Sequence, residues 1–396
     1  MSPAAARTAP GSSPGGLVHG MGKELAEPDW SPLTDDEVTA VLARYDPADP
    51  RGRAPTAITW RSPRPMSAAA LVRRPDGDVF VKRHDPRVRT ARQLAAEHAF
   101  LSFLRERGEP VPAVRRTPAG ASVVRRGGFA YEVHDLAPGL DLYRDVMSWS
   151  PFWSLGHARA AGAALARLHR AAAGFTRPAR PQAVLVSSGE VITSRDPVRA
   201  ISRMIGARPG LGRGLRGRSW PGDVTRHLVP GIRQAAPLLT RLTRQWGHGD
   251  WHPSNLTWTS DSAGADVAGI FDFGLANRTF AVHDLATALE RSTVAWLDLA
   301  ESGRAAADLD AVSALLDGYE SVRPLSPAET AALSAVLPVV HVEYALSEIE
   351  YFADVVASPA NADLAYDGYL LGHARWFGST DGAALIGHLQ ARIAAA

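Results

Sequence analysis

The chain has no cysteine and only two lysines among 396 residues. The first absence removes disulfides, thiolate nucleophiles and cysteine metal sites together, although it does not fix the compartment. The second stands out because 43 residues are Lys or Arg. This chain writes its cations as arginine, so a retained lysine, Lys82 in particular, points to a place that needs a compact ammonium rather than a planar fork. Long apolar runs are also missing. None approaches the ~20 residues of a membrane helix. The N-terminal MSPAAARTAPGSSPGG lacks the basic start and apolar centre of a secretory signal. A net charge of +2 is too small to argue for nucleic acid. These absences make a soluble cytoplasmic protein, with neither membrane nor nucleic acid as partner, the expectation.

At 45% hydrophobic and 21% charged residues the chain can bury a sizeable core, in two domains or one bilobal unit. Residues 1–28 are rich in Pro, Gly, Ser and Ala and read as a disordered tail, with Met21 an alternative start. In SPLTDDEVTAVLARY, Thr34 and Glu37 form a capping-box pattern ahead of a helical stripe. Runs at 68–73 and 79–83 flank the turn Pro75-Asp76-Gly77-Asp78, a hairpin with Lys82 on its second strand. A helix over about 90–107, closed by Gly108, and a second hairpin near 122–126 and 129–134 follow. After Pro151 the pattern turns helical. Residues 175–230 read as irregular, with RPGLGRGLRGRSW a solvated loop. The layout is α+β: a small lobe over 29–136, with strands and one strong helix, then a larger, mainly helical lobe over 137–396.

The chemistry concentrates in HGDWHPSNLTW and DVAGIFDFGLA. The first runs from a polar loop into a strand at Leu256–Trp258, and the second is a strand ending at Asp272-Phe273-Gly274. Asp250, Asn255 and Asp272 thus sit at the loop ends of one predicted hairpin. Their oxygens suit Mg2+, a hard cation that shares its ligands with substrate phosphates. An Asp, an Asn five residues later and a downstream DFG is the arrangement of phosphoryl transfer. Asp250 would orient the attacking hydroxyl and accept its proton, while Asn255 and Asp272 would hold Mg2+ on ATP. Glu97 lies in an apolar helical stripe with Leu94, Leu101 and Leu104, so it needs a buried partner, for which Lys82 is the candidate.

HGDWHPSN, IFDFG and VHDLA resemble the aminoglycoside phosphotransferase and choline kinase-like family, small-molecule kinases of the bilobal protein-kinase-like fold. The pattern H-G-D-x-H-x-x-N matches at His248, Gly249, Asp250, His252 and Asn255. ALARLH, ending at His169, and Asp284-Leu285-Ala286 resemble the family's flanking helices, so the likeness runs in order from about residue 65 to 290. It implies that Lys82 meets the ATP phosphates and that a hinge from Glu132 through His134 to Leu136 offers backbone groups to a purine. The sequence departs from protein kinases at RSPRPMS, where no glycine-rich loop is present. Ser67 is the candidate there for covering the phosphates.

Plainer readings stand beside these. His248 and His252 have the spacing of a zinc pair on a helix, but Gly249 and Pro253 oppose a helix and no third ligand is evident. They read instead as a brace for the loop and a shaper of the site. Asp284 reads as a cap, and His169 as a satisfied core histidine. From Asp284 to Asp354 thirteen acids face three arginines, a net of −10. Such a surface suits a cationic or polyhydroxylated acceptor, an aminoglycoside or amino alcohol, or is simply a solvated face. Two rival classes remain: a non-catalytic nucleotide-binding pseudokinase, opposed by the complete residue set, and a protein kinase, opposed by the short path from Asp272 to Asp284 with no A-P-E segment.

Overall fold

In the first lobe, alternation along the strands decides which side chains face the core and which face a cleft. The computed structural model describes residues 17–46, 56–181 and 183–395. Strands β1 (Val18–His19) and β2 (Leu25–Ala26) form a short antiparallel hairpin. Helix α1 (Asp35–Leu42) follows, opened by the Thr34/Glu37 capping box. Then come β3 (Ala57–Arg61), β4 (Ala68–Arg73), β5 (Val79–His84), α2 (Ala91–Arg105), β6 (Val124–Arg126) and β7 (Phe129–Asp135). The strands make one antiparallel sheet in the order β3-β4-β5-β7-β6. Val79 and Val81 of β5 join Ala70, Val72, Val133 and α1 in a core cluster. Their neighbours Phe80 and Lys82 therefore point to the opposite face, toward the cleft. Lys82 sits opposite Ala69 on β4 and Glu132 on β7.

The rest of the described chain is mainly helical. Helix α3 (Leu155–Ala172) leads through α4 (Pro197–Ala207), α5 (Pro209–Gly214), α6 (Trp220–His227) and α7 (Val229–Leu239) to β8 (Arg244–Gly247). Short strands β9 (Leu256–Trp258), β10 (Val267–Ile270) and β11 (Asn277–Phe280) carry the site loops, with β9 paired to β10 and β8 to β11. Helices α8 (Ala281–Thr293), α9 (Trp296–Ser302), α10 (Leu309–Val322), α11 (Pro327–Val336) and α12 (Val342–Glu350) follow, then α13 (Pro359–Asp363), α14 (Leu371–Phe377) and α15 (Thr380–Ala395). Helices α3 and α10 pack at glycine distance: a Cβ on Gly162 would stand 1.9 Å from the Leu315 carbonyl oxygen, and one on Gly318 1.9 Å from that of Arg159. This lays the Ala-rich α3 flat against its neighbour beneath the site.

Three expectations need correction. Residues 17–28 are ordered as the β1–β2 hairpin and its continuation, held by the lobes they touch; residues 1–16 lie outside the described residues. In the 175–230 region the described residues before Pro197 are irregular as expected, but α4, α5 and α6 occupy 197–227. Three arginines of RPGLGRGLRGRSW are ion-paired: Arg208 with Glu350, Arg213 with Asp354 at 2.5 Å and Arg218 with Asp363 at 2.5 Å. Much of the acidic face around α12 is thus spent on these arginines. Glu343 accepts the backbone N–H groups of Ser188, Gly189 and Val191 at 2.6–2.8 Å. Finally, Pro327–Val355 folds into one continuous helical run, long and apolar enough by length and composition to cross a membrane, yet 72% of its most apolar window is buried inside the protein.

Candidate active site

The loop between β8 and β9 holds Asp250 in place from several sides. A Cβ on Gly249 would stand 2.5 Å from the Leu275 carbonyl oxygen, and its φ is +78°, so glycine is required there. Asp284, one turn into α8, accepts the backbone N–H groups of His248 and Gly249, both at 2.7 Å, and faces His169 Nε2 at 3.0 Å. Burial would raise the Asp284 carboxyl, but the bond from His169 and the nearby donors bring it down to about 2. His248 Nε2 donates to the Phe271 carbonyl at 2.9 Å, and its Nδ1 accepts the Asp250 N–H at 3.2 Å. His248 braces the loop and His169 is a satisfied core residue, as their sequence setting implied; Asp284 is no helix cap, since it lies inside α8, whose N-cap is Phe280, and it braces the loop instead.

Asp250 itself contacts two cations or potential cations. Arg291 Nη1 donates to its Oδ1, and His252 Nε2 lies 3.5 Å from the same atom. Burial alone would push this carboxyl up; Arg291, then His252, hold it far below the usual carboxylate range. The Arg291 guanidinium is wedged between the rings of Trp149 and Tyr344, 4.9 and 4.5 Å from their centroids. Sequence reading missed Arg291. Its one signal is a Glu290-Arg291 charge pair inside α8, a helix otherwise placed to be wholly buried.

Asn255 donates its amide N–H to the Asp250 carbonyl at 2.8 Å, which leaves its side-chain oxygen as the atom to offer a ligand. The Asn255 carbonyl accepts the Phe271 N–H at 3.0 Å, tying the loop to the strand that carries Asp272. Asp272 takes a left-handed backbone, φ +59°, tolerable for Asp but a position where local strain collects. Lys82 Nζ donates to Asp272 Oδ1 at 2.8 Å. Burial opposes both charges; the pairing with Asp272 keeps the Lys82 ammonium raised, and Lys82 keeps the Asp272 carboxyl lowered. Asn255 and Asp272 thus bring only oxygen to this end of the cleft, a donor set that fits Mg2+.

Two expected pairings differ. Lys82 binds Asp272 rather than Glu97. Glu97 faces the same cleft, but its Oε2 has no hydrogen-bond partner and its nearest cation is Arg180, at 3.8 Å. The reason is competition: Arg180, from the segment after α3, donates to the carbonyls of Gly274 and Ala276 and thereby reaches Glu97 from the far side. The hinge also shifts. β7 is an interior strand, so the backbone of Glu132 and His134 pairs with β5, while on the other side the Val133 carbonyl accepts from the Arg115 N–H and the Asp135 N–H bonds to the Ala113 carbonyl. Leu136 and Ala137 line the same cleft. The Glu132 side chain is instead buried among His84, His98 and His134, whose Nε2 atoms lie 2.9, 2.6 and 3.0 Å from its oxygens. These are hydrogen-bond lengths that saturate the carboxylate.

Two cavities meet at this point. One, lined by Leu71, Phe80, Leu101 and Phe273 beside Lys82 and Asp272, has the apolar walls of a purine slot. The other runs from Asp250 and His252 to Tyr344 and Glu348. Arg64 and Ser67 border both.

Residues 67–325 match the family model described as a phosphotransferase enzyme family. A homoserine kinase of Phenylobacterium zucineum (strain HLK1) is 27% identical over 344 residues, covering 84% of this chain and 89% of that protein. The structure of a microcompartment-associated aminopropanol kinase superposes with a TM-score of 0.57 at 18% identity, over 88% of this chain and 99% of that one. An amicoumacin kinase, hAmiN, in complex with AMP-PNP, Ca2+ and Ami gives 0.56 at 14% identity, over 87% and 94%. At such identities the two structures speak for the fold alone, an α+β kinase-like architecture. Taken with the ordered motifs and the cleft they build, the match shows that this chain belongs to the phosphotransferase enzyme family and is a small-molecule kinase acting on a hydroxyl acceptor.

Proposed function

We propose that the chain transfers the γ-phosphoryl group of Mg-ATP to the hydroxyl of a small amino alcohol. Glu348 carries this reading. It is 3% exposed, borders the cavity that contains Asp250, and its Oε2 has no hydrogen-bond partner. Burial pushes its carboxyl up to about 8, with Arg291 opposing. An ammonium arriving beside it would ionise and pair it, relieving an unsatisfied buried acid. The rest of the acidic segment carries less weight, because Glu343, Glu350 and Asp354 are already partnered. That relatives include enzymes named for homoserine and aminopropanol, both amino alcohols, supports the same class.

In this reading the purine lies against Leu136 and Ala137, and Lys82 leaves Asp272 for the phosphates. Mg2+, when held by Asn255 and Asp272, neutralises charge on the phosphates. Asp250 orients the acceptor hydroxyl. As the oxygen bonds to phosphorus and the bond to ADP breaks, the hydroxyl proton passes to an Asp250 oxygen. The low basicity of Asp250 agrees with a loose transition state, in which orientation matters more than early proton removal. Only β11 and a short turn separate Asp272 from α8, which leaves no segment to dock a protein substrate.

The test is a panel of amino alcohols, homoserine, aminoglycosides and neutral sugars with Mg-ATP, read by mass spectrometry. Phosphorylated amino alcohols are expected, with an acceptor KM about tenfold or more higher in Glu348→Gln, the usual cost of losing a buried charge partner. Transfer to neutral sugars alone would remove the proposed class.

A further inference from the structure

The loop between β3 and β4 lies where protein kinases carry their glycine-rich phosphate cover, and here it presents an arginine. Arg64 borders both the purine cavity and the acceptor cavity. A group shared by both stands where the phosphoryl group must cross. We propose that Arg64 clamps the transferring phosphoryl group in place of the missing glycine-rich loop, and that the β1–β2 hairpin, through His19, is the device that positions it.

The positioning is specific. Arg64 Nη1 is 2.7 Å from His19 Nδ1 and donates to the Val146 carbonyl at 2.7 Å, while Nη2 reaches the Tyr143 carbonyl at 3.5 Å. These contacts hold one edge of the fork and leave its other N–H groups for an anion. Burial lowers the Arg64 guanidinium from its ordinary range, and the surrounding carboxylates Asp141, Asp272, Asp250 and Asp145 oppose that shift. His19 is neutral at physiological pH: burial, then the charge of Arg64, bring it down to about 4, with Asp145 opposing. Its Nδ1 is therefore an acceptor, the role a positioning group for an arginine must play.

The hairpin is tied to both lobes. The His19 N–H donates to the Pro63 carbonyl at 2.8 Å, next to Arg64. At its tip Lys23 bonds Asp298 at 2.6 Å and Glu301 at 2.9 Å on α9. Those contacts are exposed, so each contributes little, and the Pro63–Arg64 end is the firmer attachment. This division lets the tip release while the arginine stays in register.

The experiment compares wild type with Arg64→Met, Arg64→Lys, His19→Ala and His19→Asn. Binding of ADP and of AMP-PNP is measured by calorimetry, and slow Mg-ATP hydrolysis is followed without acceptor. Arg64→Met should leave ADP affinity unchanged, weaken AMP-PNP about tenfold and slow hydrolysis about 10²-fold, the scale of losing one transition-state charge partner. Arg64→Lys, which keeps the charge but cannot span His19 and phosphate together, should recover less than half of that loss. His19→Ala should lower kcat with little change in ADP affinity, and His19→Asn, whose amide oxygen can accept from Arg64, should restore it. Equal loss of ADP and AMP-PNP binding, or unchanged hydrolysis in Arg64→Met, overturns the clamp. A His19→Asn variant no better than His19→Ala overturns the positioning role. If Arg64→Met does not fold, Arg64→Lys and the His19 pair carry the same decision. None of these readouts needs an acceptor, so failure of the amino-alcohol class leaves the test intact.

Discussion

At Asp250 the neighbouring cation decides the chemistry. Arg291 holds the carboxyl far below its usual range against the pull of burial, so the wild-type site keeps Asp250 ionised well into acid. In Arg291→Met the carboxyl remains buried but loses its main opposing charge, and its pKa must rise. The acid limb of kcat/KM should therefore move upward, toward the region of about pH 5–7 where buried carboxyls titrate, and a pH–rate profile reads it directly. An unmoved limb would show that Asp250 does not limit the rate. Direct substitution should be harsher: Asp250→Asn is expected to lower kcat about 10²–10⁴-fold, the range for a lost general base, with nucleotide binding retained. Asp272→Ala should abolish Mg2+-dependent turnover, and Lys82→Ala should weaken nucleotide binding as read by calorimetry. These residues were legible because their spacing is local: Asp250, Asn255 and Asp272 sit at the loop ends of two adjoining strands, β9 and β10, and Lys82 follows from strand alternation. Arg291, Arg64 and Glu348 were not, because each enters the site from a separate element.

At the scale of elements, the arginine-rich segment and α12 form one unit. Arg208 bonds both Glu350 and, at 2.8 Å, Ser347, with its side chain and that of Glu350 only 6% and 7% exposed. Arg208→Met alone strands a buried carboxylate and should cost about 3–5 kcal/mol in urea unfolding. Arg208→Met with Glu350→Gln should recover a large part of that cost, since the stranded charge is gone. The sequence showed RPGLGRGLRGRSW and the acids of α12 as two separate charge runs, the first read as a solvated loop and the second as an acceptor-binding or solvated face. Their pairing spans about 140 positions, and no local period reports a contact at that separation. Capping was the opposite case. Thr34 with Glu37 acts within a single turn, so the start of α1 was readable directly.

Over the whole molecule, two buried acids set a pH dependence. Burial pushes Glu348 up to about 8 and Glu290 up to about 7; in the unfolded chain both would titrate near about 4.3. The folded state therefore binds more protons across that interval. Stability contributed by these acids is present at low pH and falls as pH rises through the folded pKa values. Buried histidines such as His19 and His341, both lowered to about 4, contribute the opposite slope on the acid side of that window, so the test is a difference: relative to Glu348→Gln, the thermal midpoint of the ligand-free wild type should decline from about pH 5 to pH 8, because the substitution flattens the Glu348 contribution. A bound amino alcohol should do the same in wild type, because its ammonium stabilises the ionised form.

The sequence by itself determined the family, the α+β class and the helix cap at Thr34, since each rests on local period, turn chemistry or short spacing. Only the tertiary structure decided which cation meets which acid. Lys82 went to Asp272, Arg180 to Glu97, Arg291 to Asp250 and Arg208 to Glu350. It also drew the hairpin at residues 17–26 against Arg64. Charges in a shared cleft choose partners by distance and competing burial, and both quantities come into being only when distant elements pack.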